Sequence, residues 1–163
     1  MPVFGLNQGA MPIMGYNYGA AKKDRLMQTY KEALKIALLV MALGLLLFQA
    51  LPKQLLLMFD ASADMLAIGI PALRIISLCF LPAAFGIITG TLFQGTGHGV
   101  YSLLCSVIRQ LIGILPLAFI LIRIGGVTLS WASFPLAELL GLAYSALMLQ
   151  RLYKNEISKL GVQ

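Results

Sequence analysis

The sequence predicts an all-α fold, a polytopic bundle of transmembrane helices, and three observations support that class. The chain has 163 residues, of which 60% are hydrophobic and only 11% are charged. Its mean hydropathy is +0.89, a value typical of membrane proteins rather than soluble domains. Its apolar residues also fall into runs that approach or exceed the length of about 20 residues that a spanning helix needs. The chain therefore has room for four or five spans and for no separate soluble domain.

Five apolar runs satisfy this requirement, and turn residues separate them. The predicted spans cover residues 1–19, 33–51, 65–94, 101–122 and 129–150. Pro52 ends the second span. The third span is unusually long and contains Pro71 and Pro82, so we expect it to be kinked or tilted. The Gly-rich segment 95–99 forms the next turn, and residues 123–128 form a short outer loop.

Basic residues predict how the spans are oriented. Lysines and arginines concentrate in segments 22–35 and 151–159, whereas Lys53 and Arg123 stand alone on the other side. The positive-inside rule therefore places both basic segments, and the C-terminus, in the cytoplasm. We expect an integral protein of the plasma (cytoplasmic) membrane. The net charge of +6 does not indicate nucleic-acid binding, because the basic residues form no single stripe with aromatic residues.

Catalytic and metal-binding patterns are absent from the sequence. Cys79 and Cys105 lie in apolar runs, and His98 is the single histidine, so no cluster has the spacing of metal ligands. We expect His98 to be a solvated turn residue. No nucleophile has a recognisable base beside it. We therefore expect a protein that is not an enzyme, with no cofactor and no metal.

Three ionisable residues lie deep inside the predicted spans, away from their ends: Arg74, Arg109 and Glu138. A charge at membrane depth is costly unless it is paired or hydrated, so each is a functional candidate. Arg74 and Glu138 each lie about nine residues below the outer end of a span, about 13 Å deep, so we expect them to pair. The pair either pins two helices or serves a substrate or coupling ion. Arg109 is expected to face a polar cleft or to snorkel towards the cytoplasm.

Uncharged polar residues form the second set of candidates. They either hydrogen-bond between helices or line a cavity; they are Asn7, Gln8, Asn17 and Gln94. Gln8 is the best cavity candidate, because Gly9 and Pro12 can open the local backbone. Small residues recur at every fourth position of the last span, Ser133, Ala137, Gly141 and Ser145, and indicate close helix packing.

The first span also carries a family signature. Its residues read Gly5-Leu-Asn-Gln-Gly-Ala-Met-Pro-Ile-Met-Gly-Tyr-Asn-Tyr-Gly-Ala20. This stretch resembles the run Gly-x-x-Gln-Gly-x-x-Pro-x-x-Gly-Tyr-Asn-x-Gly-Ala of multidrug and toxic compound extrusion (MATE) transporters, on the second helix of their C-terminal half. The basic turn after it, Arg74, and Arg109-Gln110 before Pro116 are similar as well.

The resemblance implies a partial C-terminal lobe of a two-lobed transporter, about the last five of twelve helices. Family members exchange drugs and other cationic or amphipathic compounds for sodium ions or protons, so this chain is expected to supply one wall of the cleft. A missing N-terminal lobe, or a second copy, would supply the other wall. Many family members use an acidic residue on the first helix of the N-terminal lobe for coupling. Others use acids of the C-terminal lobe, including one on the helix that matches residues 65–94, where this chain has no Asp or Glu. Glu138 is then the embedded carboxylate available for coupling.

Two alternatives remain open at this stage. A flippase for lipid-linked oligosaccharides, from the same superfamily, would share the architecture but face its cavity with basic residues such as Arg74 and Arg109. A standalone membrane interaction protein would rebuild a two-lobed bundle as a homodimer. The expected partners are a small amphipathic or cationic substrate and the lipid bilayer, and not nucleic acid.

Overall fold

A computed structural model describes residues 2–161, which form helices joined by short turns and contain no strand. The helices are α1 (Pro2–Gly19), α2 (Lys23–Ala50), α3 (Pro52–Leu57), α4 (Ala63–Ser77), α5 (Phe80–Gly95), α6 (Gly99–Val107), α7 (Leu115–Ser130) and α8 (Ser133–Asn155). A π-helical segment, Ile108–Ile114, joins α6 to α7, and a 3₁₀ turn, Ile157–Lys159, follows α8. The predicted all-α class is confirmed.

Length and hydropathy identify the helices that could cross a membrane. Within residues 2–161, α2 and the continuous helix Gly99–Ser130 are long and apolar enough. The pair α4 and α5 adds a third candidate if the two helices form one bent span. The arrangement of five spans stays a prediction.

The kink expected in the long third span lies between α4 and α5, which meet at an angle of 50°. Pro82 lies in the first turn of α5 and has no amide to donate to the carbonyl of Leu78, so the regular ladder stops one turn earlier. The amide of Leu78 bonds to the carbonyl of Ile75 rather than to that of Arg74. That carbonyl accepts hydrogen bonds from Gln49 Nε2 at 2.8 Å and from Ser77 Oγ at 2.9 Å. The carbonyl of Arg74 is therefore satisfied at the bend.

The predicted outer loop at 123–128 coincides with a sharp break in the helix. Helix α7 runs on to Ser130, but it is sharply kinked at Gly125 and Gly126. Gly126 has a φ of +68°, a conformation that residues with a Cβ rarely adopt, so this dipeptide allows the break. The last helix consequently begins at Ser133 rather than near residue 129.

Helix α5 lies at the centre of the bundle and contacts α1, α2, α6 and α8. Fully buried apolar residues of α5 pack against fully buried residues of α1 and α2. Those of α5 are Ile88, Leu92 and Phe93, and those of the first two helices are Met14, Leu26 and Ala37. A buried hydrogen bond of 3.0 Å joins Tyr30 to Thr89. At the end of α5 the backbones almost touch, because a Cβ on Gly15 would lie 3.0 Å from the carbonyl oxygen of Gly95. Gly15 of the family signature therefore lets α1 pack closely against the end of α5.

Candidate functional site

A polar cleft of about 210 Å³ lies between α1, α5, α6, the π-helical segment and α8. Its charged and polar lining residues are Asn7, Gln94, Ser102, Cys105, Ser106, Arg109, Glu138 and Ser145. Four of the residues selected from the sequence, Asn7, Gln94, Arg109 and Glu138, therefore share one cavity. They come from four different segments of the chain.

The two charges of the cleft face each other. Arg109 Nη1 lies 3.3 Å from Glu138 Oε1 and 3.4 Å from Glu138 Oε2. Only 10% of the glutamate side chain is exposed, against 28% of the arginine side chain. The carboxylate is therefore almost enclosed, while its partner reaches the cleft opening.

This geometry corrects the pairing predicted from the sequence. The expected ion pair between Arg74 and Glu138 is wrong, because Arg74 is exposed and has no ion-pair partner within residues 2–161. Arg109 is the partner instead. Arg109 lies about eight residues from the cytoplasmic end of its predicted span, and Glu138 lies about nine residues from the outer end of its own. In a hydrocarbon core of about 30 Å, these depths leave only about 5 Å between the two residues. That gap is shorter than an extended arginine side chain, so the two residues meet near the midplane.

The chain around Arg109 positions it in two ways. Pro116 cannot donate to the carbonyl of Ile112, so a regular α-helical ladder cannot continue there, and the helix widens into its π-helical segment. Within that segment Gly113 packs against α8, where an added Cβ would lie 2.7 Å from Ala137 Cβ. One turn further along α8, Gly141 faces the aliphatic stem of Arg109. The small residues of α8 thus allow the guanidinium of Arg109 to reach Glu138. Their spacing predicted close packing but did not predict this ion pair.

The remaining polar groups of the cleft are partly satisfied. Gln94 Nε2 donates to Ser102 Oγ at 2.9 Å, and Cys105 Sγ shares a hydrogen bond of 3.2 Å with Ser145 Oγ. Asn7 Oδ1 is buried and has no hydrogen-bond partner within the described residues. The cleft thus contains, in addition to its ion pair, an acceptor without a partner among the described residues. Residues 2–161 hold no group of three His, Cys, Asp or Glu side chains that could bind a metal ion.

The other candidates from the sequence do not line this cleft. Gln8 and Pro12 are exposed on α1, and Arg74 is exposed on α4. Asn17 is buried and donates from Nδ2 to the carbonyl of Ile13 at 2.8 Å, a bond within its own helix. Since Asn17 is satisfied locally, it contributes to the packing of α1.

A second polar cluster was not foreseen. His98 Nε2 lies 2.9 Å from Glu156 Oε1, and the hydroxyl of Tyr18 donates to Glu156 Oε2. His98 is therefore half-buried and paired rather than solvated. The hydrogen bond from Tyr18 lowers the pKa of Glu156, and the neighbouring charges of His98 and Lys159 add to that effect. These groups are far apart in the sequence, and no motif in it connects them.

The long apolar helices and the charged cleft between them are features of a helical membrane protein. The chain belongs to the MatE family, whose profile matches residues 1–120. Proteins of this family are transporters, and the membership confirms the family identified from the signature in the first span. No curated protein matches the chain.

Solved transporters share the fold. The MATE multidrug transporter DinF-BH is 31% identical, with a TM-score of 0.86 over 96% of this chain. A MOP superfamily transporter from Pyrococcus furiosus Vc1 (DSM3638) is 24% identical, with a TM-score of 0.85 over 98% of this chain. An outward-facing MATE family transporter of the same superfamily is 23% identical, with a TM-score of 0.81 over 94%. This chain spans only 35%, 35% and 36% of their lengths, respectively.

Proposed function

We propose that the protein is a secondary active antiporter that exports drugs or other xenobiotic cations in exchange for sodium ions or protons. The chain would supply one wall of the translocation cleft, and a second lobe or a second copy would supply the other. Its place would be the plasma membrane, with the C-terminus in the cytoplasm. Membership of the MATE family supports transport.

One observation carries the cation specificity of this proposal. Glu138 is a nearly enclosed carboxylate that opens onto a polar cleft and contacts a single, partly exposed cation. Ionisable residues inside membrane spans mark substrate and ion pathways when they face a cavity. A carboxylate in this position can hold a substrate cation, a sodium ion or a proton in turn, which is what exchange between two cations requires.

The flippase alternative receives less support from the same geometry. That alternative called for cavity-facing basic residues, and Arg74 and Arg109 were the candidates. Arg74 lies outside the cleft, and the charge of Arg109 is balanced by Glu138. A cleft without excess positive charge favours a cationic guest over an anionic lipid headgroup.

The test is transport by the purified protein in proteoliposomes, measured as efflux of ethidium under an imposed sodium or proton gradient. Glu138→Gln is expected to abolish gradient-driven efflux, because it removes the charge that the exchanged cations share. Arg74→Gln is the matched control, since it removes an arginine of α4 outside the cleft and is expected to retain efflux. Equal efflux by Glu138→Gln and the unmodified protein would refute the proposal.

A further inference from the structure

The contact between Arg109 and Glu138 is loose for a buried ion pair. A single guanidinium nitrogen reaches both carboxylate oxygens, at 3.3 Å and 3.4 Å. Charge-assisted hydrogen bonds between such groups are usually about 2.7–2.9 Å long, and arginine commonly uses two nitrogens in parallel. The carboxylate therefore keeps unused acceptor capacity towards the cleft.

Charge balance explains the presence of an arginine beside Glu138. Among the described residues that line the cleft, only Arg109 and Glu138 are charged, so their formal charges sum to zero. A nearly enclosed carboxylate left without a cation is strongly disfavoured. Any guest that takes the place of the guanidinium must therefore bring a positive charge of its own.

The guanidinium of Arg109 can move away from Glu138 while the aliphatic part of the side chain keeps its place. The aliphatic part of the side chain packs on Gly141, at 3.7 Å to 3.8 Å from the position of a Cβ there. The side chain as a whole is 28% exposed, whereas Glu138 is 10% exposed. Rotation about the outer bonds of Arg109 would move the guanidinium towards the opening without disturbing the helix contact.

The cleft also shows which kind of cation it could receive. Asn7 Oδ1 is buried, lines the cleft, and accepts no hydrogen bond from any of residues 2–161. An amide oxygen accepts hydrogen bonds and cannot donate them. Together with the free capacity of Glu138, it calls for a guest with more than one N–H donor.

We propose that the guanidinium of Arg109 is a tethered occupant of the cation site on Glu138, and that an incoming protonated amine displaces it. Arg109 keeps the empty site neutral, and the amine donates to Glu138 and to Asn7 when it binds. This inference rests on the proposed export of cations. It adds that the arginine competes with the substrate rather than helping to bind it.

The test compares the two members of the pair, because competition predicts opposite signs. Binding of benzylammonium is measured by titration calorimetry at pH 8 on the purified protein. Glu138→Gln is expected to abolish binding. Arg109→Gln is expected to tighten it, by about tenfold if the arginine occupies the site in about nine of ten molecules. Arg74→Gln is the matched control and is expected to leave the affinity unchanged.

A structural ion pair gives the contrary result. In that case Arg109→Gln would weaken binding as Glu138→Gln does, and the inference would be overturned. Should the glutamine variant fail to fold, Arg109→Lys keeps the charge with a shorter reach. The affinity of Arg109→Lys for the amine is expected to lie between that of the unmodified protein and that of a site with no competing side chain. An affinity weaker than that of the unmodified protein would overturn the inference.

Two further measurements complete the test. Benzyltrimethylammonium has the same charge and ring but no N–H donor, and it is expected to bind the unmodified protein several-fold more weakly. Equal affinities would overturn the role of Asn7. Ethidium efflux is followed in parallel: efflux that persists while Arg109→Gln weakens amine binding overturns only the competition. The absence of gradient-driven efflux from the unmodified protein would instead refute the proposed function.

Discussion

Replacing Gly113 with alanine tests how closely the π-helical segment must approach α8. The added Cβ would lie 2.7 Å from Ala137 Cβ and 3.2 Å from Ala137 Cα. Carbon atoms pack best at about 3.5–4.0 Å, so the two helices must separate by about 1 Å. Because α8 carries Glu138, the same movement lengthens the contact of 3.3 Å with Arg109.

The size of the effect follows from two opposing contributions. Overpacking of this kind costs about 1–3 kcal/mol. Alanine has less freedom than glycine in the unfolded chain, which returns about 0.5–1 kcal/mol within a helix. We therefore expect a net destabilisation of about 1 kcal/mol.

The assay is the midpoint of thermal unfolding in detergent, with Gly141→Ala as the matched control. Gly141 lies on the same interface, but a Cβ there would be 3.7 Å from Arg109 Cβ, an ordinary contact. The midpoint is expected to fall for Gly113→Ala and to stay equal or rise for Gly141→Ala. Equal shifts for both variants would refute the account of close packing.

Three further predictions concern the core and the Glu156 cluster. Tyr30→Phe is expected to cost about 1–3 kcal/mol, because it removes a buried hydrogen bond of 3.0 Å and leaves Thr89 unpaired; thermal unfolding would show it, and an unchanged midpoint would count against it. Phe93→Ala is expected to cost about 3–5 kcal/mol, since its fully buried ring fills the centre of the bundle; a loss below about 1 kcal/mol would contradict that packing. The lowered pKa of Glu156 means that its bond from Tyr18 stabilises the fold above the ordinary glutamate pKa and is lost as pH falls through the depressed value. Glu156→Gln should therefore lower the stability at neutral pH and reduce its dependence on acid, and an identical acid profile would contradict this.

Local features of the sequence predicted the helical class of the fold. Composition and the length of the apolar runs indicated an all-α bundle, and the prolines at 71 and 82 indicated a bend in the long third span. The structure places that bend one turn before Pro82. Each of these depends on residues that are near one another in the chain.

Contacts between distant residues were harder to predict. Depth in the membrane was a poor guide to pairing, because a long arginine side chain spans a difference of several ångströms. Arg109 also reaches Glu138 from a π-helical segment, and no pattern in the sequence predicted that segment. His98, Tyr18 and Glu156 meet only after the ends of three segments converge. Long-range convergence therefore accounts for both the wrong pair and the missed cluster.

The most direct test of the central claim, that the cleft is part of the transport route, is to block it chemically. Ser106 lines the cleft and is exposed, so Ser106→Cys in a Cys79→Ser, Cys105→Ser background offers one thiol there. Lys53→Cys in the same background is the control, because Lys53 is exposed on α3 and does not line the cleft. Modification by N-ethylmaleimide is expected to stop ethidium efflux in the first protein and not in the second. Undiminished efflux after complete modification at Ser106 would contradict the account.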